Sequence, residues 1–204
     1  MRGWGWVAWV GPALVWGLAA PSAVLAQETL GSRCTATVLN RSAIVNDGGS
    51  FEIPNVPTNG LPVRVRITCT DGPTAGGQSS FVVATPNGTV PVGTITPGVV
   101  DPPPERLLVN GSSGTVVLVV PVGGTTQLTV TGQFPGGPTR DLTAAGTGTI
   151  YRTSNPAIAA VTPDGLVSGV AFGCAIVGPA HEGLIAAIGI SVGGAPECNP
   201  GAGD

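Results

Sequence analysis

Lysine is absent from this chain, histidine occurs once, and every tryptophan lies within the first sixteen residues. Without Lys there is no Schiff-base or Lys-activated chemistry. The eight cations are all Arg and are scattered along a chain of net charge −3, so neither nucleic acid nor an anionic membrane meets the clustered positive charge it needs. One His leaves a Ser-His-Asp arrangement a single base, and no Gly-x-Ser-x-Gly elbow is present. His181-Glu182 is the one His–carboxylate neighbour pair, yet Ile185 stands where a zinc-protease helix would place its second His. The surrounding Pro179–Gly183 reads as a hairpin turn.

Acids are few as well, and their settings are ordinary. Asp47, Asp71 and Asp164 lie beside Gly in turns, where an Asp side chain caps its own backbone. Glu52 reads as the outward residue of a strand; Glu28, Asp101, Glu197 and Asp204 fall in tails or a linker. No clustered Asp/Asn run marks a calcium site, and Gly123-Gly124-Thr125 lacks the Lys of a P-loop. No catalytic, cofactor-binding or metal-binding residue is therefore assigned, and no cofactor is expected. Arg64 and Arg66, on one outer strand face, are candidates for an anionic glycan or partner, or simply keep that face soluble and guard an edge.

What the chain does contain is Gly and Pro, 33 and 20 of 204 residues, with a mean hydropathy of +0.38. Disordered chains are polar and highly charged. This composition instead describes many short strands joined by tight turns. Residues 1–26 read as a secretory signal peptide. Arg2 precedes an apolar run from Trp4 to about Ala20, Pro21 breaks any helix, and Val24-Leu25-Ala26 offers a small-residue cleavage site before Gln27. The run is long enough that an uncleaved membrane anchor is the rival reading. After cleavage no membrane partner is expected. The remaining chain has five aromatics, Phe51, Phe81, Phe134, Tyr151 and Phe172, few for a surface that stacks sugars.

Strand signals recur along the remainder. Cys34, Ala36 and Val38 alternate with Thr35 and Thr37; Val63, Val65, Ile67 and Cys69 alternate with Arg64, Arg66, Thr68 and Thr70. Phe51 and Ile53 flank Glu52 in the same way. Turn chemistry at Asn46–Gly49, Asp71–Pro73 and Pro86–Gly88 punctuates them. The pattern stops at Asp101-Pro102-Pro103-Pro104, a stiff polyproline stretch. It resumes at Thr115–Val120, Gln127–Thr131, Thr149–Arg152, Leu166–Val170, Ala175–Val177 and Leu184–Val192, a spacing that predicts a β-sandwich. The expected organisation is a signal peptide at 1–26, one sandwich over 27–100, a proline linker at 101–104, a second sandwich over 105–193 and a tail at 194–204. The two halves are expected to fold independently and tumble about the prolines.

Two resemblances overlay this reading. Pro121–Leu128, Thr131-Gly132, Thr139–Thr143 and above all Tyr151-Arg152-Thr153-Ser154-Asn155-Pro156-Ala157-Ile158-Ala159-Ala160-Val161, followed by Asp164-Gly165-Leu166-Val167-Ser168-Gly169-Val170, resemble bacterial immunoglobulin-like domains of group 2. The likeness covers roughly 104–193. It departs from the family at the usual core Trp, where Ile150 or Tyr151 stands, and at Cys174, where Thr is usual. Gly49-Ser50-Phe51-Glu52-Ile53-Pro54-Asn55-Val56-Pro57 and Val63-Arg64-Val65 are similar to carboxypeptidase-regulatory-type domains, small transthyretin-like sandwiches, over about 32–96. Both resemblances imply non-catalytic accessory modules of secreted or cell-surface bacterial proteins.

Four cysteines in an exported chain imply disulfides, with three connectivities open. Cys34 and Cys69 each share a face with apolar neighbours inside the first half, which favours their union. Cys174 faces outward if Ala175 and Val177 face the core, and the Gly193–Pro196 turn would fold Cys198 back over it. The expected fold class is all-β, two small sandwiches, the transthyretin-like one first and the immunoglobulin-like one second. The expected function is a structural, adhesion or interaction module; the alternatives are a carbohydrate-binding module and, last, an enzyme of unrecognised type. The expected location is extracellular or on the cell surface, with the periplasm as the other compartment, and the partner a protein or polysaccharide of the cell envelope.

Overall fold

A computed structural model describes residues 31–57, 60–70, 76–110, 112 and 116–198. The signal-peptide reading of 1–26, the turn at Asp71–Pro73, the start of the strand at Thr115 and the end of the tail lie outside the described residues. The described chain is all-β, with two single-turn 3-10 segments at Ala145–Thr147 and Pro196–Cys198.

Before the prolines, six strands form two sheets. They are β1 (Cys34–Val38), β2 (Arg41–Ile44), β3 (Pro62–Val63), β4 (Arg66–Cys69), β5 (Gly76–Gln78) and β6 (Val82–Val83). The larger sheet runs β2-β1-β4-β5, all antiparallel, and β3 pairs with β6. In β1 the alternation is complete: Cys34, Ala36 and Val38 are buried, Thr35 and Thr37 are not. The apolar run at 63–69 is not one strand. The chain leaves β3 at Val63 and enters β4 at Arg66, and Val65 bridges the gap by exchanging hydrogen bonds with Ser79, N–H to Oγ at 3.0 Å and carbonyl from N–H at 2.9 Å. Phe51-Glu52-Ile53, expected as a strand, is irregular chain whose Phe51 and Ile53 pack against the core of Ala36, Val38, Val45, Val63, Val65 and Ile67.

After the prolines come β7 (Arg106–Val109), β8 (Val117–Val120), β9 (Thr125–Gln127), β10 (Val130–Gln133), β11 (Thr139–Asp141), β12 (Ile150–Thr153), β13 (Ala159–Val161), β14 (Leu166–Gly169), β15 (Gly173–His181), β16 (Leu184–Ile185) and β17 (Ile188–Val192). One sheet runs β12-β15-β17-β8, with β16 hairpinned onto β15; the others run β13-β14-β9 and β11-β10-β7. All pairings are antiparallel except β17 with β8. Leu128, Val167, Val177, Ile188, Ile190 and Val192 interlock as the main core, a second cluster gathers Leu107, Val130, Phe134 and Leu142, and Tyr151 packs against both. Its hydroxyl donates to the Thr143 carbonyl at 2.7 Å. The expected strand at Gln127–Thr131 is split. The chain crosses from β9, paired with β14, to β10, paired with β7, and Asn110 Oδ1 receives the Thr129 N–H at the crossing.

Among the described residues no sheet combines strands from both sides of the prolines. Disulfides join Cys34 to Cys69, directly opposed across β1 and β4, and Cys174 to Cys198, where the chain after β17 folds back onto β15.

Candidate functional site

The densest polar chemistry lies where the two halves meet, and it starts from a turn. β15 ends at His181 and β16 begins at Leu184, so Glu182 and Gly183 form a two-residue hairpin loop with φ of 46° and 84°. Positive φ at both positions is the mirror-image turn that strand twist favours, usually built from Asn-Gly or Asp-Gly. Glu in the left-handed region costs on the order of 1 kcal/mol, so something else holds it there. Arg66 donates from Nη2 to Glu182 Oε2 at 2.6 Å, and Arg64 Nε stands 4.0 Å from Oε1. The Glu182 side chain is 4% exposed. Gly183 is required as well: a Cβ there would press on Leu39, the tip of the β1–β2 hairpin.

The sequence placed Arg64 and Arg66 on an outer face as candidates for an external anion or as solubilising residues. They are instead held by an internal anion 116 positions away in the case of Arg66. Arg66 also donates from Nε to the Asp101 carbonyl at 2.5 Å, and Asp101 receives Arg140 on its carboxylate at 3.1 Å while its N–H donates to Gln78. That Arg140 bond holds the Asp101 carboxyl below its usual range, against the opposing effect of burial. The first linker residue is thus tied to both halves, and Pro104 is buried. Docked halves replace the free tumbling that the prolines alone implied. A proline stretch limits the chain between two bodies; it says nothing of the surfaces they present to each other.

Arg64 lies over the Phe81 ring, 4.1 Å from its centre, and Phe81 meets His181 edge-to-face at 5.5 Å. Gly148 leaves room for that ring, since any Cβ there would run into it. His181 Nδ1 is 3.3 Å from Thr149 Oγ1. Thr149 is 1% exposed, so this pair offers no solvent-accessible nucleophile. Beside the cluster a cleft of about 450 Å³ opens between the halves, lined by Phe81 and Val83 on one side and Tyr151 and Val161 on the other. Asp164, expected to cap its own turn, accepts the Ala145 N–H at 2.9 Å and so anchors the neighbouring 3-10 turn.

Burial pushes the His181 imidazole below its ordinary value, with Arg64 and Arg66 adding to the effect and Glu182 opposing it. The unfolded chain takes up this proton near pH 6.5, the folded chain only at lower pH. The contribution of a neutral His181 is therefore complete above about pH 6.5 and is lost as pH falls from there through the lowered folded value. His181→Gln should remove that acid-side decline: unfolding curves between pH 5 and 7.5 should converge with the parent on acidification. Parallel curves across this range would refute the assignment.

No family model matches the chain, and no curated protein matches it. Among solved structures, the S-layer protein SbsC over its residues 31–844 is 17% identical with a TM-score of 0.37, covering 84% of this chain and 22% of that one. Domains 4 and 5 of SbsC give 16% and 0.35, with 82% of this chain and 74% of that chain covered. Domains 4–9 give 17% and 0.36, with 86% and 24% covered. The chain thus spans about a fifth of the 31–844 structure.

Proposed function

We propose that this chain is a non-catalytic exported module, two β-sandwiches held as one rigid arm, serving a structural or interaction role at the cell surface. The observation that carries the reading is the buried Arg64–Arg66–Glu182 contact, which turns a pair of small domains into a single body. Two disulfides call for an oxidising compartment, which supports export and with it the signal-peptide reading. The division into 27–100, a linker at 101–104 and 105–193 fits sheets that do not mix. The run from Tyr151 to Val170 supplies β12, β13 and β14 in order, as the group 2 immunoglobulin-like reading requires.

The carbohydrate-binding alternative needs aromatic faces open to solvent. Phe134 is buried, Phe81 is flanked by Arg64 and His181, and Tyr151 packs on two core clusters, so that Phe81 and Tyr151 show only the parts that line the cleft between the halves. Phe172, 65% exposed, is the open ring. Labelling intact producing cells with an impermeant reagent, together with assay of the medium, should find the protein outside the cytoplasm. Recovery of reduced, full-length chain from the cytoplasm would sink the proposal. Saturable binding on a glycan array would transfer it to the carbohydrate reading.

A further inference from the structure

The edges of the sheets differ in how they are protected. An exposed edge strand presents unpaired N–H and C=O groups, and proteins guard it with charge, brevity or a bulge. Among the described residues four edges carry charge, Arg41 on β2, Arg106 on β7, Arg140 and Asp141 on β11 and Arg152 on β12, and the uncharged edges β3, β5, β6, β9 and β13 are only two or three residues long. β8 closes the five-stranded sheet as Val117-Leu118-Val119-Val120 with no charge, no Pro and no Gly in it. Val119 is 60% exposed and Val116, just before the strand, 39%.

Among the described residues no strand pairs with the far side of β8, and the pairing with β17 fixes which backbone groups face that side. The Val116 and Val120 carbonyls accept from Gly189 and Gly193, so the even-numbered residues of this parallel pair turn their polar groups toward β17. In a parallel ladder one residue sends both N–H and C=O to the same side. Val117 and Val119 therefore direct theirs away from the sheet. Their side chains share the outer face, while Leu118 and Val120 turn inward to the core.

We infer that β8 is a self-association edge, taken by β8 of a second copy of this chain in antiparallel register about a two-fold axis. The register closes on itself. With Leu118 opposite its own counterpart, Val117 of each copy faces Val119 of the other, and those are the two residues with outward backbone groups. Four N–H to C=O bonds form and two Val–Val pairs meet on the outer face, each such pair favourable by some tenths of a kcal/mol. A two-fold axis brings any charge near its own copy, and β8 carries none. A charged partner strand would find nothing on β8 to read. The contact is far smaller than the roughly 800 Å² per partner of a stable complex, so it is weak, with a dissociation constant on the order of 0.1–1 mM. The inference stands whether the module acts as a spacer or a binder.

Sedimentation of the purified exported chain from about 10 µM to 1 mM, bracketing that constant, should show a monomer–dimer equilibrium. Amide exchange at Val117 and Val119 should slow roughly two- to fourfold from the dilute to the concentrated end, the fall in free monomer that this constant allows. Val119→Lys, on the exposed face, should leave the melting curve unchanged and weaken dimerisation at least tenfold. A chain monomeric at 1 mM with both amides fast would overturn the proposal. So would protection independent of concentration, because the edge would then be covered by the chain itself, and so would dimerisation insensitive to Val119→Lys.

Discussion

Glu182→Gln should separate the two halves while leaving each folded. The substitution keeps volume and removes the anion that Arg66 and Arg64 share, stranding two cations that are 13% and 20% exposed. Breaking a buried ion pair from one side typically costs about 3–5 kcal/mol, and partial exposure of the guanidinium groups places this case near 3. Contacts between domains of one chain resemble transient interfaces, so a loss of that size is enough to undock them. Small-angle scattering should show a larger radius of gyration, and the single unfolding transition should become two. Replacing the whole set with apolar residues, Arg64→Met and Arg66→Met with Glu182→Leu, should restore much of the docking, because the penalty lies in the stranded charge more than in the lost attraction. Unchanged scattering for Glu182→Gln would show that Phe81, Leu39 and the Asp101 contacts hold the halves without the ion pair.

The second large effect falls on the first half. Converting Cys34 and Cys69 to Ala should cost about 3–4 kcal/mol, the loop-closure entropy of a 35-residue separation. That is a large share of the 5–15 kcal/mol that holds an ordinary domain. Among the described residues the four-stranded sheet of this half faces the two-residue strands β3 and β6 and irregular segments bearing Phe51, Ile53, Val56, Val92 and Ile95. The second half interlocks larger sheets, so the corresponding Cys174→Ala, Cys198→Ala chain should lose a similar free energy yet stay folded at 37 °C. Denaturant titration of both variants separates the cases. Equal survival of the two halves would mean that the first core is sufficient without its staple.

How much of this was legible beforehand depended on the range of the interaction. Period-two alternation located β1 and β4 because each has one wet and one dry face. The same parity argument placed Cys34 and Cys69 on apolar faces, and the structure shows them bonded there. The hairpin turn expected over Pro179–Gly183 was readable from its position between two apolar runs, although Glu182 and Gly183 alone form it and Pro179–His181 belong to β15. Strand breaks were not: at Val63–Arg66 and Gln127–Val130 the chain changes sheets without a Gly or Pro, and backbone N–H groups donating to Ser79 Oγ and Asn110 Oδ1 mark the place instead. The inter-half cluster was hidden for a different reason. Arg64 and Arg66 alternate with apolar residues just as solvent-facing cations do, and nothing local tells a cation in water from one aimed at Glu182. One signal was present, a Glu where a tight hairpin prefers Asn or Asp, and it points to a demand on the carboxylate from outside the turn.

The two disulfides have a mechanical consequence. Pulled from its ends, the chain does not transmit tension along its whole contour. Force entering at Cys198 crosses the sulfur bridge to Cys174, bypassing all of β15 after its second residue, all of β16 and all of β17; force entering before Cys34 crosses to Cys69 in the same way. At roughly 3.3–3.6 Å of reach per residue, the separations of 35 and 24 keep about 200 Å of chain out of the load path. An oxidised molecule is therefore the shorter tether, extending between its bridges by the roughly 350 Å of chain from Cys69 to Cys174, and a reduced one gains about 200 Å more from the same residues.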